Sequence, residues 1–274
     1  MRIAVVAPAC PIDAETAARV AALAAQDFPQ VELVFHPQCF LSHGHFAGDD
    51  TVREAAFVEV ANDPAFDAVW FARGGYGSCR MAERALDRLE SAAGNKVYLG
   101  YSDMGMLLGG LYARGIGQAA HGPHVADIRR EGGVVAVMRA LGWLTGLDAG
   151  AVDPAAHGPE RSAAFNLTVL SHLLGTPLEP DLSAHVLFIE DVDEHHYRID
   201  RAMFHVTSTP SIRRIAGIRM GRFAVPANDR PFGMDAEAIV RHWCGVSGIA
   251  YLGAADIGHD AANKIVPFGS GLSR

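Results

Sequence analysis

Apolar positions in the first half of the chain come in short bursts, at Ile3–Ala7, Val31–His36, Phe66–Ala72 and Val97–Leu99. These runs are too short for helices and lack strict polar alternation, which is the pattern of strands covered on both faces. Longer stretches of mixed apolar and polar residues lie between them and predict helices over Ala14–Asp27, Thr51–Asn62, Cys79–Glu90 and Met104–Tyr112. Strand and helix therefore alternate, and the expected fold class is α/β, a doubly wound parallel sheet. Ligands of such a sheet collect at the carboxyl ends of its strands, where Pro8, Arg73-Gly-Gly-Tyr-Gly77 and Ser102 fall.

The alternation breaks between Gly142 and Ser162, a stretch rich in Gly, Pro, Ala and Asp that reads as a connection. Beyond it the pattern is more mixed. Helices are expected at Asn166–Leu174, Tyr197–His205 and Asp235–Cys244, and strands at Val186–Ile189, Ile215–Met220 and Ala250–Gly253. The resulting division is an N-terminal domain over 1–145, a linker over 146–165 and a second domain over 166–274.

With 274 residues, 50% of them hydrophobic and 20% charged, the chain suits one large or two modest globular domains. Its net charge of −8 gives no general attraction to nucleic acid or to an anionic membrane. The N-terminal apolar run is too short for a signal-peptide core, and no run approaches the roughly 18 apolar residues of a membrane span. The four cysteines, Cys10, Cys39, Cys79 and Cys244, are scattered, so reduced thiols and a cytoplasmic location are expected. Cys79 follows a glycine run but has no histidine near it in sequence, which favours a buried thiol over a nucleophile. Ser42-His-Gly-His45 and His121-Gly-Pro-His124 are the tightest histidine clusters, and neither has a metal-site spacing.

Three segments carry candidate chemistry. Ser102 sits between a strand and a helix, where a hydroxyl is exposed and the following backbone N–H groups favour developing negative charge. Gly100 lies two residues before it and Gly105 three after, so the spacing departs from Gly-x-Ser-x-Gly, and a plain helix N-cap is the competing reading. Glu190 ends the apolar run of His185-Val-Leu-Phe-Ile-Glu190 and needs a partner if buried, with an imidazole N–H or a nearby arginine as candidates. His259 lies in a loop with a glycine just before it and a strand expected soon after. Together they stand in the order Ser, Glu, His, one known solution to the catalytic-triad problem. The glycine run at 74–77 allows close backbone approach to an anion but matches neither nucleotide-loop pattern, and a tight turn is the alternative.

Arg73-Gly-Gly-Tyr-Gly77, Gly100-Tyr-Ser-Asp103, His121-Gly-Pro123, Leu187-Phe-Ile-Glu-Asp191, Asp200-Arg201, Gly258-His259 and Pro267-Phe-Gly269 occur in an order that resembles the LD-carboxypeptidase family of serine peptidases. Asn166-Leu167 ahead of Gly175-Thr176 adds to the likeness, which covers essentially the whole chain. The resemblance implies an N-terminal α/β domain and a smaller, β-rich C-terminal domain with the site between them. It also implies a homodimer, no metal and no cofactor. The family's nucleophile falls on Ser102, its Glu and His partners on Glu190 and His259, and its oxyanion donors on the backbone N–H groups of Asp103 and Gly75. Arg73, Gly74 and Tyr76 are candidates for holding substrate. The implied substrate is a murein tetrapeptide, cleaved between meso-diaminopimelate and D-alanine during cell-wall recycling. Two departures stand out: Ser162-Ala-Ala-Phe165 replaces a usual Gly-Gly pair, and the chain is short for the family. A microcin C-type immunity peptidase is the alternative within the family, and a non-catalytic peptide- or sugar-binding protein the alternative outside it.

Overall fold

The computed structural model describes residues 1–269. The first part of the chain runs β1 (Arg2–Val6), α1 (Ala14–Asp27), β2 (Glu32–Phe35), α2 (Asp50–Asn62), β3 (Ala68–Phe71), α3 (Ala82–Leu86), β4 (Val97–Gly100), α4 (Gly105–Ala113), β5 (Gln118–His121) and α5 (Gly133–Leu144). The second runs β6 (Arg161–Asn166), α6 (Leu167–Leu173), β7 (His185–Val192), α7 (His196–Ser208), β8 (Gly217–Ala224), α8 (Ala236–Ser247), β9 (Tyr251–Ala254) and β10 (Val266–Pro267).

The first sheet has the order β10-β5-β4-β3-β1-β2, and its central strands are buried on both faces, as the apolar bursts require. Its pairs are parallel except β10 with β5. The second sheet, β6-β7-β8-β9, is parallel throughout. The chain is therefore α/β in both parts, with the doubly wound sheet first and a separate parallel sheet after it.

Local chemistry explains where the elements begin. Asp13, Asp49 and Asp235 each accept a hydrogen bond from a first-turn backbone N–H, capping α1, α2 and α8. Asn166 does the same for α6, so the expected helix start at Asn166 is its cap. The helix expected over Cys79–Glu90 is shorter. A single 3-10 turn covers Ser78–Arg80, and buried Met81, at φ −125°, leaves helical geometry before α3 begins. β5, α5 and β6 have no counterpart among the expected elements; residues 161–165, placed in the connection, belong to β6, and β10 falls where a strand is expected soon after His259.

The two sheets are tied together by the last described residues. β10 pairs antiparallel with β5 through Val266↔His121 and Pro267↔Ala120. Just beyond it, Ser162 and Gly269 exchange backbone hydrogen bonds of 3.0 and 2.8 Å, which joins the same segment to β6. Pro267 is tolerated because β10 is an edge strand, where a missing N–H is not needed by a neighbour.

Candidate active site

β4 ends at Gly100, Tyr101 stays extended, and Ser102 turns sharply into the left-handed region at φ 58°. A residue with a Cβ is strained there, and such strain persists only where its surroundings impose it. One 3-10 turn, Ser102–Met104, leads directly into α4, so the serine stands at a helix N-terminus. The residue before it is clamped from several sides. The Tyr101 backbone N–H donates to His124 Nε2 at 3.0 Å, and its hydroxyl donates to Asp127 at 2.9 Å. The His124 ring packs 4.4 Å from the Tyr101 ring, centroid to centroid. Burial, then the nearby His259 and His121 rings, hold the His124 pKa well below its ordinary value. A neutral ring accepting at Nε2 carries its proton on Nδ1, an assignment made from the hydrogen-bond network.

The glycine loop after β3 lies directly over the serine. A methyl group built on Gly74 would stand 3.0 Å from Ser102 Cβ, 3.1 Å from its Oγ and 3.2 Å from His124 Cε1. Gly75 adopts φ 112°, and a side chain there would overlap Cys10 Sγ. Asp103 fastens the loop to the elbow. Its carboxylate accepts from the N–H groups of Gly77 (3.3 Å) and Ser78 (2.9 Å), and the Ser78 hydroxyl donates to its carbonyl at 2.6 Å. Fully buried Arg53 donates to the Gly77 carbonyl at 2.9 Å and also to that of Pro8, joining the loop to the end of β1.

Glu190 and Asp191 are adjacent on β7 and so point to opposite faces of the sheet. Asp191 reaches the start of α6, where it accepts from Asn166 Nδ2 (2.6 Å) and from the Thr168 hydroxyl (2.9 Å). Glu190 faces the other way. Its Oε2 accepts a hydrogen bond from Nδ1 of His259, and its side chain is wholly buried. The pairing of β7 with β8 shifts register between Ile189 and Asp191, so the carboxylate sits at a bulge, a common device for aiming a side chain. Gly221 across the bulge leaves room, since a methyl there would stand 3.1 Å from Glu190 Cβ.

His259 lies on the loop between β9 and β10, which is braced at several points. Arg222 pairs with Asp256 and with Asp260 on either side of the histidine. Arg139 donates to the carbonyls of Ala261 (2.8 Å) and Asn263 (3.0 Å). Asp153 accepts from the Asp256 N–H at 2.6 Å, so the connection before β6 supports this loop as well.

Ser102 and His259 line one cavity of about 560 Å³ together with Arg73, Gly74, Gly75, Tyr101, His124, Asp127, Arg129, Arg130 and Asp193. Glu190 lies behind His259, away from solvent. Tyr76 faces a neighbouring cavity of about 640 Å³, with Cys79, His172 and Leu178, and Asp103 also contributes to that wall. Cys79 is exposed, not buried as expected, because it sits on the open side of a 3-10 turn. Partial desolvation and then the Asp103 charge raise its pKa, which disfavours a thiolate. Among the described residues all the cysteines are unpaired, and no helix is long and apolar enough to cross a membrane. The wall residues Tyr101, Asp127 and Arg130 were not among the sequence candidates. His124 stood in a noted cluster, but its burial against Tyr101 is a tertiary fact with no local signal.

A nucleophile-type elbow, an imidazole bonded to a buried carboxylate and a glycine loop over the hydroxyl form an arrangement suited to acyl transfer. Comparison with known proteins agrees at the level of family. Residues 3–122 match the LD-carboxypeptidase N-terminal domain, and residues 162–273 the LD-carboxypeptidase C-terminal domain. The chain belongs to the LD-carboxypeptidase family. It is accordingly a peptidase-type hydrolase by family. A carboxypeptidase-named protein of Synechocystis sp. is 32% identical over 87% of this chain and 80% of its own length. The murein tetrapeptide carboxypeptidase of Pseudomonas aeruginosa is 27% identical over 75% of this chain and 71% of its own. The crystal structure of muramoyltetrapeptide carboxypeptidase from Oxalobacter formigenes shares the fold of this family member. Its TM-score is 0.78 at 23% identity, over 97% of this chain and 93% of that one.

Proposed function

We propose that this family member is a serine LD-carboxypeptidase that releases the terminal D-alanine from murein tetrapeptide, acting in the cytoplasm on recycled cell-wall peptides as a homodimer. The observation that carries the reading is the left-handed Ser102 at a helix N-terminus, sharing a cavity with a histidine whose other nitrogen is bonded to a buried glutamate. A helix cap alone needs neither the strained φ nor the paired imidazole. The murein peptide names of relatives such as that of Pseudomonas aeruginosa support the substrate class.

In this mechanism Ser102 Oγ attacks the carbonyl carbon of the meso-diaminopimelate–D-alanine amide while His259 Nε2 takes the hydroxyl proton. Glu190 holds the proton of His259 on Nδ1 and stabilises the cation that forms. The N–H groups of Gly75 and Asp103 receive the oxyanion, each donor being worth roughly 3–4 kcal/mol in a comparable protease. The C–N bond then breaks, the His259 proton goes to the departing amine, and D-alanine leaves. Water attacks the acyl-enzyme with His259 again as base, which restores Ser102 and frees the tripeptide carboxylate.

The test is mass spectrometry of murein tetrapeptide incubated with wild type and with Ser102→Ala. The expected result is loss of one D-alanine with wild type only. Equal loss with both proteins refutes the nucleophile. Loss with neither, on folded protein, refutes the substrate and directs the search to peptidyl-nucleotide amides.

A further inference from the structure

The cavity that holds Ser102 and His259 is unusually cationic for a chain of net charge −8: Arg73, Arg129 and Arg130 all line it. They are not equivalent. Arg73 makes one long bond, 3.4 Å, to the Pro11 carbonyl, and Arg129 lies 4.0 Å from Asp13, so both are loosely held at the rim. Arg130 is fixed. Its Nε donates to Asp127 Oδ1 at 2.7 Å and its Nη2 to the Tyr101 hydroxyl at 3.3 Å. Asp127 is in turn held by the Tyr101 hydroxyl and by the His124 backbone N–H at 2.8 Å. Tyr101 immediately precedes Ser102, and its ring lies 4.8 Å from that of His259. The guanidinium is thus built into the network that shapes the elbow. Its Nη1 makes no hydrogen bond among the described residues, and 41% of the side chain is exposed in the cavity wall.

We propose that Arg130 is the receptor for the free carboxylate of the departing residue, and that it makes this site cut at a chain end and not within a chain. The inference rests on the peptidase reading above and adds the residue that selects the substrate's terminus. A planar guanidinium with one edge already anchored offers donors in a rigid fork that matches a carboxylate. Because Asp127 and Tyr101 hold it in place before substrate arrives, little side-chain freedom is lost on binding. An internal peptide bond presents no carboxylate to it and would leave the arginine's remaining donors without an anionic partner. Asp193 lines the same cavity and is the acidic group there that Arg130 does not already engage. A zwitterionic side chain, such as that of diaminopimelate, is therefore the competing occupant.

The test compares kcat/KM for tetrapeptides ending in D-alanine or D-alaninamide, in wild type, Arg130→Gln and Arg130→Lys, with thermal unfolding of each protein. Wild type should prefer the free acid. Arg130→Gln should cut that preference by roughly 10- to 100-fold, mainly through KM, as expected for losing a charge-assisted hydrogen bond. Arg130→Lys should keep part of it. Equal losses on acid and amide would overturn the proposal and reduce Arg130 to a support for Tyr101. So would a change confined to discrimination between diaminopimelate and lysine at the third position. A second readout does not depend on turnover: calorimetric binding of N-acetyl-D-alanine to Ser102→Ala with and without Arg130→Gln. Weaker binding in the double variant sustains the carboxylate site even if wild type cleaves neither peptide, in which case only the reaction assignment falls. Equal binding, or none to Ser102→Ala, overturns the site.

Discussion

Gly74→Ala separates activity from stability at this site. The backbone of Gly74 is not in the left-handed region, so alanine is allowed there without torsional strain. The difficulty is its methyl group, which would meet Ser102 Cβ at 3.0 Å, Ser102 Oγ at 3.1 Å and His124 Cε1 at 3.2 Å. Optimal carbon contacts lie near 3.5–4.0 Å, so several tenths of an ångström must be yielded. His124 is buried and bonded to the Tyr101 N–H, and cannot move cheaply. Ser102 is half-buried and faces the cavity, so its hydroxyl is the group that turns away. The stability cost should then be about 1 kcal/mol, the lower end for overpacking. Displacing the nucleophile by even about 1 Å costs on the order of 100-fold in rate. The assay is kcat for D-alanine release beside a thermal melt: a 30- to 100-fold fall, roughly, with only a few degrees lost in Tm. Gly75→Ala is the contrast. Its φ of 112° and the overlap with buried Cys10 place the damage in the fold, so stability should fall further than in Gly74→Ala. Near-normal kcat in folded Gly74→Ala would refute the placement of Ser102 Oγ as the attacking atom.

Two further outcomes follow from the buried histidines and the carboxylate. Burial lowers the His121 pKa to about 4, so the unfolded chain binds a proton between pH 6.5 and 4 that the native state does not. The stability contributed by that neutral ring is full above pH 6.5 and lost as pH falls toward 4, by up to about 3 kcal/mol. Denaturant midpoints across this range should flatten in His121→Gln, and an unchanged slope would refute the assignment. Glu190→Gln should lower kcat with Tm nearly kept, by less than the several orders of magnitude expected for His259→Ala, because Nδ1 keeps an acceptor while the imidazolium loses its counter-charge. Steady-state kinetics on both variants decides it, and equal losses would refute the orienting role.

What could be read from the sequence divides along physical lines. β1, β3 and β4 announce themselves because their residues are buried between two helical layers and include large apolar side chains such as Ile3, Val69, Trp70 and Leu99. β2 is a half-exposed edge strand marked only by its short apolar run Leu33-Val-Phe35. β5 and β6 did not, since Gln118-Ala-Ala-His121 and Arg161-Ser-Ala-Ala-Phe-Asn166 are made mostly of small residues with weak strand preference. α5 opens on Gly133-Val-Val after Gly132 in the left-handed conformation, a start with no side-chain cap to mark it. A strand is expected soon after His259, and β10 is that strand, but at two residues with a proline its pairing with β5 is set by tertiary contact and not by local pattern. At the site, Ser102, Glu190 and His259 each carried a local signal of some kind, whereas Arg130 and Asp127 carried none. Their importance arises from Tyr101, which both of them touch and which no periodicity singles out.

That last point bears on how the site is assembled from two sheets. Ser102 and its glycine loop belong to the first sheet, while Glu190 belongs to the second. His259 belongs to neither, being carried on the return segment between β9 and β10. Were that segment free, the imidazole's position over the elbow would vary with every small movement of one sheet against the other. Three connections prevent this. Val266 and Pro267 pair with β5, Gly269 with β6, and Ile265 accepts from the Asp153 N–H at 2.9 Å. β5 is also the strand that leads to His121 and His124, the rings packed around Tyr101. The histidine is therefore referenced to the elbow through the first sheet and to its glutamate through the second.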